Sequence, residues 1–286
     1  MKKLVYICAL AAIAATAFSC SKESAPVKMK TISVDLECPQ VSDLTKTYLS
    51  GENIMWRGED TCITCITDGT KGENWFIFHS STKTAARTKT FVGSIPDGQS
   101  VVCYTYYENK NNTGGMSKYT SRNVVRYLLP RNQSCWSYNS FPQTYNFAVA
   151  GPDGSDFQSA VGYFKWTNDG KKIKSVKFET VTEHEYFAGY VDATYNTATG
   201  VVTAAKYVYQ EDNESSCSPY VTCTDPHSSI SADQSYYACI IPGTYHGMKM
   251  TITLAAGGEI AFTSNAEFTV HPGKYIDLGV LRTTAL

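Results

Sequence analysis

Apolar residues in this chain alternate with polar ones in short runs, and the runs stop at turn signals. Ile32, Val34, Leu36 and Cys38 alternate with Thr31, Ser33, Asp35 and Glu37. That period of two sends successive side chains to opposite faces of a strand. Met248, Met250, Ile252 and Leu254 alternate with Lys249, Thr251 and Thr253, and Gly257-Gly258 then turns into Ile260-Ala261-Phe262, which predicts a hairpin. Further strands are predicted over 53–56, 61–67, 75–79, 101–107, 147–150, 175–181, 201–209, 236–241 and 268–278. Between them fall Ser50-Gly51, Asp68-Gly69, Pro96-Asp97-Gly98, Asn112-Thr113-Gly114-Gly115, Asp169-Gly170, Pro242-Gly243 and Pro272-Gly273, all turn formers. No convincing amphipathic helix follows the first twenty residues. The 20 tyrosines and 13% aromatic content also favour strands. The expected fold is all-β, built from antiparallel β-sandwiches. Gly151-Pro152-Asp153-Gly154-Ser155-Asp156 is the best break near the middle. It predicts two sandwich domains, 31–154 and 155–286, each of ordinary domain size. One large sandwich with long insertions is the alternative.

The 25 Lys+Arg against 26 Asp+Glu leave no cationic excess, which argues against a groove for nucleic acid. The first residues read as an address. Lys2 and Lys3 precede an apolar stretch, 4–17, that is too short to span a bilayer. The stretch ends Ala17-Phe18-Ser19-Cys20, which has the form of a bacterial lipobox. Residues 1–19 are then a signal peptide, Cys20 carries the acyl chains, and 20–30 form a polar tether. Each buried CH₂ of the acyl chains contributes about 0.8 kcal/mol to anchoring. Loss of Lys2 and Lys3 leaves 23 basic against 26 acidic residues, a formal charge of -3. The expected location is the outer membrane, with the protein held there by lipid and displayed at the cell surface.

Of ten cysteines, Cys8 and Cys20 belong to this leader, and eight remain. Export permits disulfides, but sequence does not choose among the pairings of eight thiols. Cys217 and Cys223 flank a short loop and form either a bridge or two thiols. Cys62-Ile63-Thr64-Cys65 has C-x-x-C spacing, yet it lies in a strand pattern, and low-pKa redox cysteines need a helix N-terminus. Zinc would need a second such pair or paired histidines. Cys38, Cys103 and Cys239 lie among apolar residues and read as core.

No active site is expected. None of the five histidines pairs with another at metal-ligand spacing, and no G-x-S-x-G, P-loop or G-x-G-x-x-G occurs. Neither cofactor nor metal is expected. Glu183-His184-Glu185, taken as strand, places both carboxylates opposite the imidazole, a charged solvent face. Trp136, Tyr138 and Tyr145 lie among Ser, Asn and Gln. Exposed together, they would suit a surface glycan-binding lipoprotein; buried, they are ordinary core.

Several stretches, in order, carry a family resemblance. They are Lys46-Thr47-Tyr48-Leu49 with Ile54-Met55-Trp56-Arg57-Gly58-Glu59-Asp60, then Thr90-Phe91-Val92-Gly93-Ser94-Ile95-Pro96, then Tyr104-Thr105-Tyr106-Tyr107. Later come Lys172 to Phe178, Phe187-Ala188-Gly189, Tyr236 to Gly243 and Pro272-Gly273-Lys274-Tyr275. Together they resemble the fimbrillin-like lipoproteins of Bacteroidetes, the subunits of type V pili. The resemblance implies two transthyretin-like β-sandwich domains, partners that are other pilus subunits, a role in adhesion, and assembly by strand exchange. In the stalk subunits of that family an Arg-specific protease removes the first strand, and a neighbour's strand fills the groove by β-augmentation. Ile32, Val34, Leu36 and Cys38 are then the exchanged row. Arg57 and Arg87 are the candidate cleavage sites, with Arg87 in a polar stretch expected to be exposed. An uncleaved anchor or accessory subunit is the alternative, because either cut removes more than one strand and no donor segment follows the last predicted strand.

Overall fold

The computed structural model describes residues 27–37, 42–43, 62–70, 74–80, 82–84, 86–106, 118–121, 123–134, 145–154, 156–168, 170, 172–199, 201–207, 217–225, 230 and 234–283. Cys20, Cys38, Arg57, Trp136 and Tyr138 lie outside them, as do the leader and most of the tether.

The described residues form 21 strands and no α-helix. In chain order these are β1 (Met29–Glu37), β2 (Ser42–Asp43), β3 (Cys62–Thr67), β4 (Trp75–Ser80), β5 (Thr88–Pro96), β6 (Val101–Tyr106) and β7 (Lys118–Ser121). Then follow β8 (Val124–Leu129), β9 (Asn132–Ser134), β10 (Ala148–Ala150), β11 (Gln158–Ser159), β12 (Gly162–Asn168), β13 (Ile173–Thr180) and β14 (Ala188–Tyr195). The last are β15 (Val202–Tyr207), β16 (Cys217–Ser218), β17 (Tyr220–Thr224), β18 (Gln234–Ile240), β19 (Gly243–Leu254), β20 (Glu259–Val270) and β21 (Lys274–Leu281). The chain is all-β.

Four sheets result. A seven-stranded sheet runs β1-β5-β4-β3-β6-β10-β11 and a four-stranded sheet runs β18-β12-β21-β2. Two five-membered sheets follow, β20-β19-β13-β17-β9 and β15-β14-β8-β7 with β16 beside β14. Most pairings are antiparallel, as alternation and short turns lead one to expect. Three are parallel: β12 with β21, β2 with β21, and β9 with β17. Every sheet joins strands from both sides of the Gly151–Asp156 turn, so that turn does not separate the sheets. Its composition specifies a chain reversal, and nothing local specifies which distant strands pair.

Two apolar cores flank the four-stranded sheet. Tyr163, Tyr237, Cys239 and Tyr275 join the first core, with Leu36, Phe78, Phe91, Tyr104 and Phe147. Phe164, Trp166, Tyr236, Ala238 and Ile240 join the second, with Phe178, Phe187 and Ile252. β12 and β18 are therefore apolar on both faces, as strands buried between layers must be. The outer edge of β18 is closed by Gln133. Its Nε2 donates to Cys239 O and its Oε1 accepts from Cys239 N, both at 2.8 Å, so the side-chain amide stands in for a neighbouring strand.

Side chains also satisfy one another at several buried or half-buried positions. Tyr163 Oη donates to Asn146 Oδ1 at 2.7 Å and lies 2.8 Å from Ser159 Oγ. Arg126 and Asp192, opposite each other on β8 and β14, form a two-pronged ion pair at 2.7 and 2.8 Å.

Candidate functional site

β1 is the first described strand and occupies one end of the seven-stranded sheet. Among the described residues it pairs with β5 alone, antiparallel, through nine successive positions from Met29↔Pro96 to Glu37↔Thr88. Ile32, Val34 and Leu36 point inward and Thr31, Ser33 and Asp35 outward, as the period of two predicts. Leu36 is fully buried against the first core, and Ile32 and Val34 pack at its margin.

Polar contacts hold the outward side of β1 and its ends. Thr90 Oγ1 donates to Asp35 Oδ1 at 2.5 Å, and Lys30 Nζ donates to Gln99 O at 2.7 Å. Asp97 N donates to Lys28 O at 2.7 Å. Past its far edge runs the loop after β10, where Phe157 N donates to Glu37 O at 3.2 Å. Gly154 makes that approach possible. Its φ is +81°, and a Cβ there would stand 2.8 Å from Val34 Cγ2. The strand is thus an edge element with a partial cover.

Arg87 departs from expectation. Its guanidinium is ion-paired to Glu37 at the end of β1, and its side chain is only 28% exposed. A polar local sequence predicts exposure, but the antiparallel register sets residue 37 beside the start of β5, and the charges then meet. A cut at Arg87 would also carry away β3 and β4, which lie inside the sheet order β5-β4-β3-β6.

Of the three aromatics of the alternative reading, Trp136 and Tyr138 lie outside the described residues and Tyr145 lies within them. Tyr145 packs against the first core, and its hydroxyl accepts a bond from Ser134 N at 3.1 Å. Tyr104 is buried. An exposed tryptophan among the described residues is Trp75, on the outer face of β4 beside Ile77.

Of the cysteines read as core, Cys103 and Cys239 are buried, and Cys38 lies outside the described residues. Cys65 and Cys103 are free thiols on adjacent strands, buried in the first core. Burial pushes the Cys65 thiol far up, and pushes Cys103 up to about 12. Both are protonated at neutral pH and unsuited to redox exchange. Cys223 is a free thiol in the second core, so the Cys217–Cys223 bridge is not formed.

Sequence reading missed one charged cluster and misplaced part of it. Residues 181–187 form a turn rather than a strand, with His184 at φ 63°. The turn swings Glu185 toward His246 of β19. His246 Nδ1 lies 2.6 Å from Glu185 Oε1, and Nε2 lies 3.1 Å from Glu267 Oε2. Both ring nitrogens can donate only in the imidazolium, and the bond to Glu185 chiefly raises the His246 pKa. Among the described residues no group of three His, Cys, Asp or Glu has the geometry to hold a metal ion.

The molecule with this edge belongs to the broad class of all-β proteins with several packed sheets. Comparison with known proteins adds little to that. No protein-family model and no curated protein matches the chain. Among solved structures, a leucine-rich repeat protein from Bacteroides thetaiotaomicron is similar at 13% identity and a TM-score of 0.19. That match covers 88% of this chain and 26% of the other, and so distant a likeness carries no argument.

Proposed function

We propose that this chain is a lipid-anchored, fimbrillin-like surface protein of the outer membrane. It takes part in pilus assembly or adhesion by exchanging its N-terminal strand, without catalysing a reaction. Cys20 carries the lipid, and the partners are other subunits of the same kind. The observation that supports this reading is the position of β1. It is first in the chain, lies at a sheet edge, and pairs with one neighbour. It can leave without breaking any other ladder, and the groove behind it would offer the unpaired edge of β5 to an incoming strand.

The topology also favours Arg57 over Arg87 as the cleavage site. The described strands before Arg57 are β1 and β2, and each ends its sheet. Release there removes edges only, whereas release at Arg87 takes interior strands.

The test is limited digestion of the chain lacking residues 1–20 with an Arg-specific protease, followed by intact mass and size-exclusion chromatography. The expected result is one cut at Arg57, loss of the N-terminal segment and growth into polymers, all abolished by Arg57→Ala. A protein that resists cleavage and stays out of polymers would sink the exchange reading. Loss of palmitate labelling in Cys20→Ser cells tests the anchor separately.

A further inference from the structure

The sheet ends differ in how well they are protected. β20, at 12 residues, is the longest strand at any of them. Among the described residues it pairs with β19 alone, so its outer row of backbone N–H and C=O groups faces solvent. Natural edges are usually blunted by proline, lysine or shortness; β20 contains no proline, lysine or arginine. Its carboxylates are Glu259, at the hairpin turn, and Glu267, which His246 engages.

The apolar row of β20 extends beyond the core it belongs to. Phe262 sits opposite Met250, which is buried, yet Phe262 is 46% exposed. Phe262 thus lies on the sheet face that carries Met250 into the second core, at a place where that face is still open to solvent.

We propose that the outer edge of β20 is a self-association surface, on which a second copy of this chain pairs its own β20 antiparallel across a two-fold axis. The segment itself selects this occupant. Its regular register with β19 runs from Glu259 to Ser264, and a bulge then shifts it between His246 and Met248. Phe262 lies near the middle of that straight stretch. Centred on Phe262, the pairing sets each Phe262 against its own copy, Ile260 against Ser264, and Glu259 against Asn265. Directly opposite residues share a sheet face, so the two half-covered rings cover each other and no like charges meet. Centring on Thr263 would instead set Glu259 against Glu267. The contact is isologous and closed, and so is distinct from any head-to-tail exchange of β1.

Sedimentation velocity on the chain lacking residues 1–20, across the micromolar range, tests this. The expected result is a monomer–dimer equilibrium that Phe262→Lys weakens about tenfold or more, with an unchanged circular dichroism spectrum. As a second measurement, Phe262→Cys should give an interchain disulfide on mild oxidation, and Thr251→Cys on β19 should not. A wild type that remains monomeric overturns the proposal. So does a dimer indifferent to Phe262→Lys that fails to cross-link through position 262. Because β1 cleavage is not required, failure here leaves the strand-exchange reading standing, and the reverse also holds.

Discussion

A single side chain can be placed by contacts far from it in sequence, and His246 illustrates how. Counting away from the Gly257-Gly258 turn in the register of Ile252↔Ile260 would set residue 246 opposite Ala266. The bulge beside Gly247 moves it one place, to Glu267. Gly247 adopts φ +114°, and a Cβ there would meet Val181 Cγ2 at 2.5 Å and Ser264 O at 2.7 Å. No alternation pattern encodes that shift, and none brings Glu185 in from another turn. The contact has a pH sign. The folded-state pKa of His246 is raised, chiefly by Glu185, so its stabilisation is complete below the ordinary histidine value. It is lost as pH rises through the raised one. Proton NMR titration should find the His246 ring titrating above the usual histidine range. Glu185→Gln should bring it back toward that range, and an unmoved midpoint would refute the pairing.

At the scale of elements, period, residue preference and turn chemistry made many strands legible, β18 among them although both its faces are buried. β1, β3, β4, β6, β13, β18 and the β19–β20 hairpin lie where period and turn chemistry predict them. β12 was missed because Gly162-Tyr163-Phe164-Lys165-Trp166 packs apolar groups on both faces, which erases the alternation. β8 and β14 were missed as well. The predicted strand over 268–278 spans two elements, since β20 ends at Val270 and β21 begins at Lys274, on either side of the Pro272-Gly273 turn. The edge element β1 depends on a residue remote from it. Gly154→Ala forces a Cβ against Val34 at a φ that L-residues avoid. It should destabilise the protein by about 1 kcal/mol or more, read as a lowered midpoint in urea. Hydrogen exchange should quicken selectively in β1.

For the molecule as a whole, the test of an exchangeable edge is whether it can be replaced. A chain beginning at Gly58 lacks β1 and β2, and keeps β3 to β21. It should lose the burial of Leu36, about 1.5–3 kcal/mol, along with the nine-position ladder, and so unfold at lower denaturant. A synthetic peptide covering residues 28–38 should restore the midpoint in proportion to its concentration, and a peptide with Leu36→Asp should not. Failure of the wild-type peptide to stabilise would mean that β1 is structural only. The sequence by itself determined that the chain is all-β, which residues of β1 face inward, that Cys103 and Cys239 are core, and where the main turns fall. These follow from period, residue volume and turn chemistry, which act over a few residues. Only the tertiary structure decided that all four sheets cross the central turn, that three pairings are parallel, that Arg87 meets Glu37, and that β1 and β20 are edges. A strand's neighbours are chosen by the burial of whole faces and the closure of long loops, and those free energies belong to no local segment of the chain.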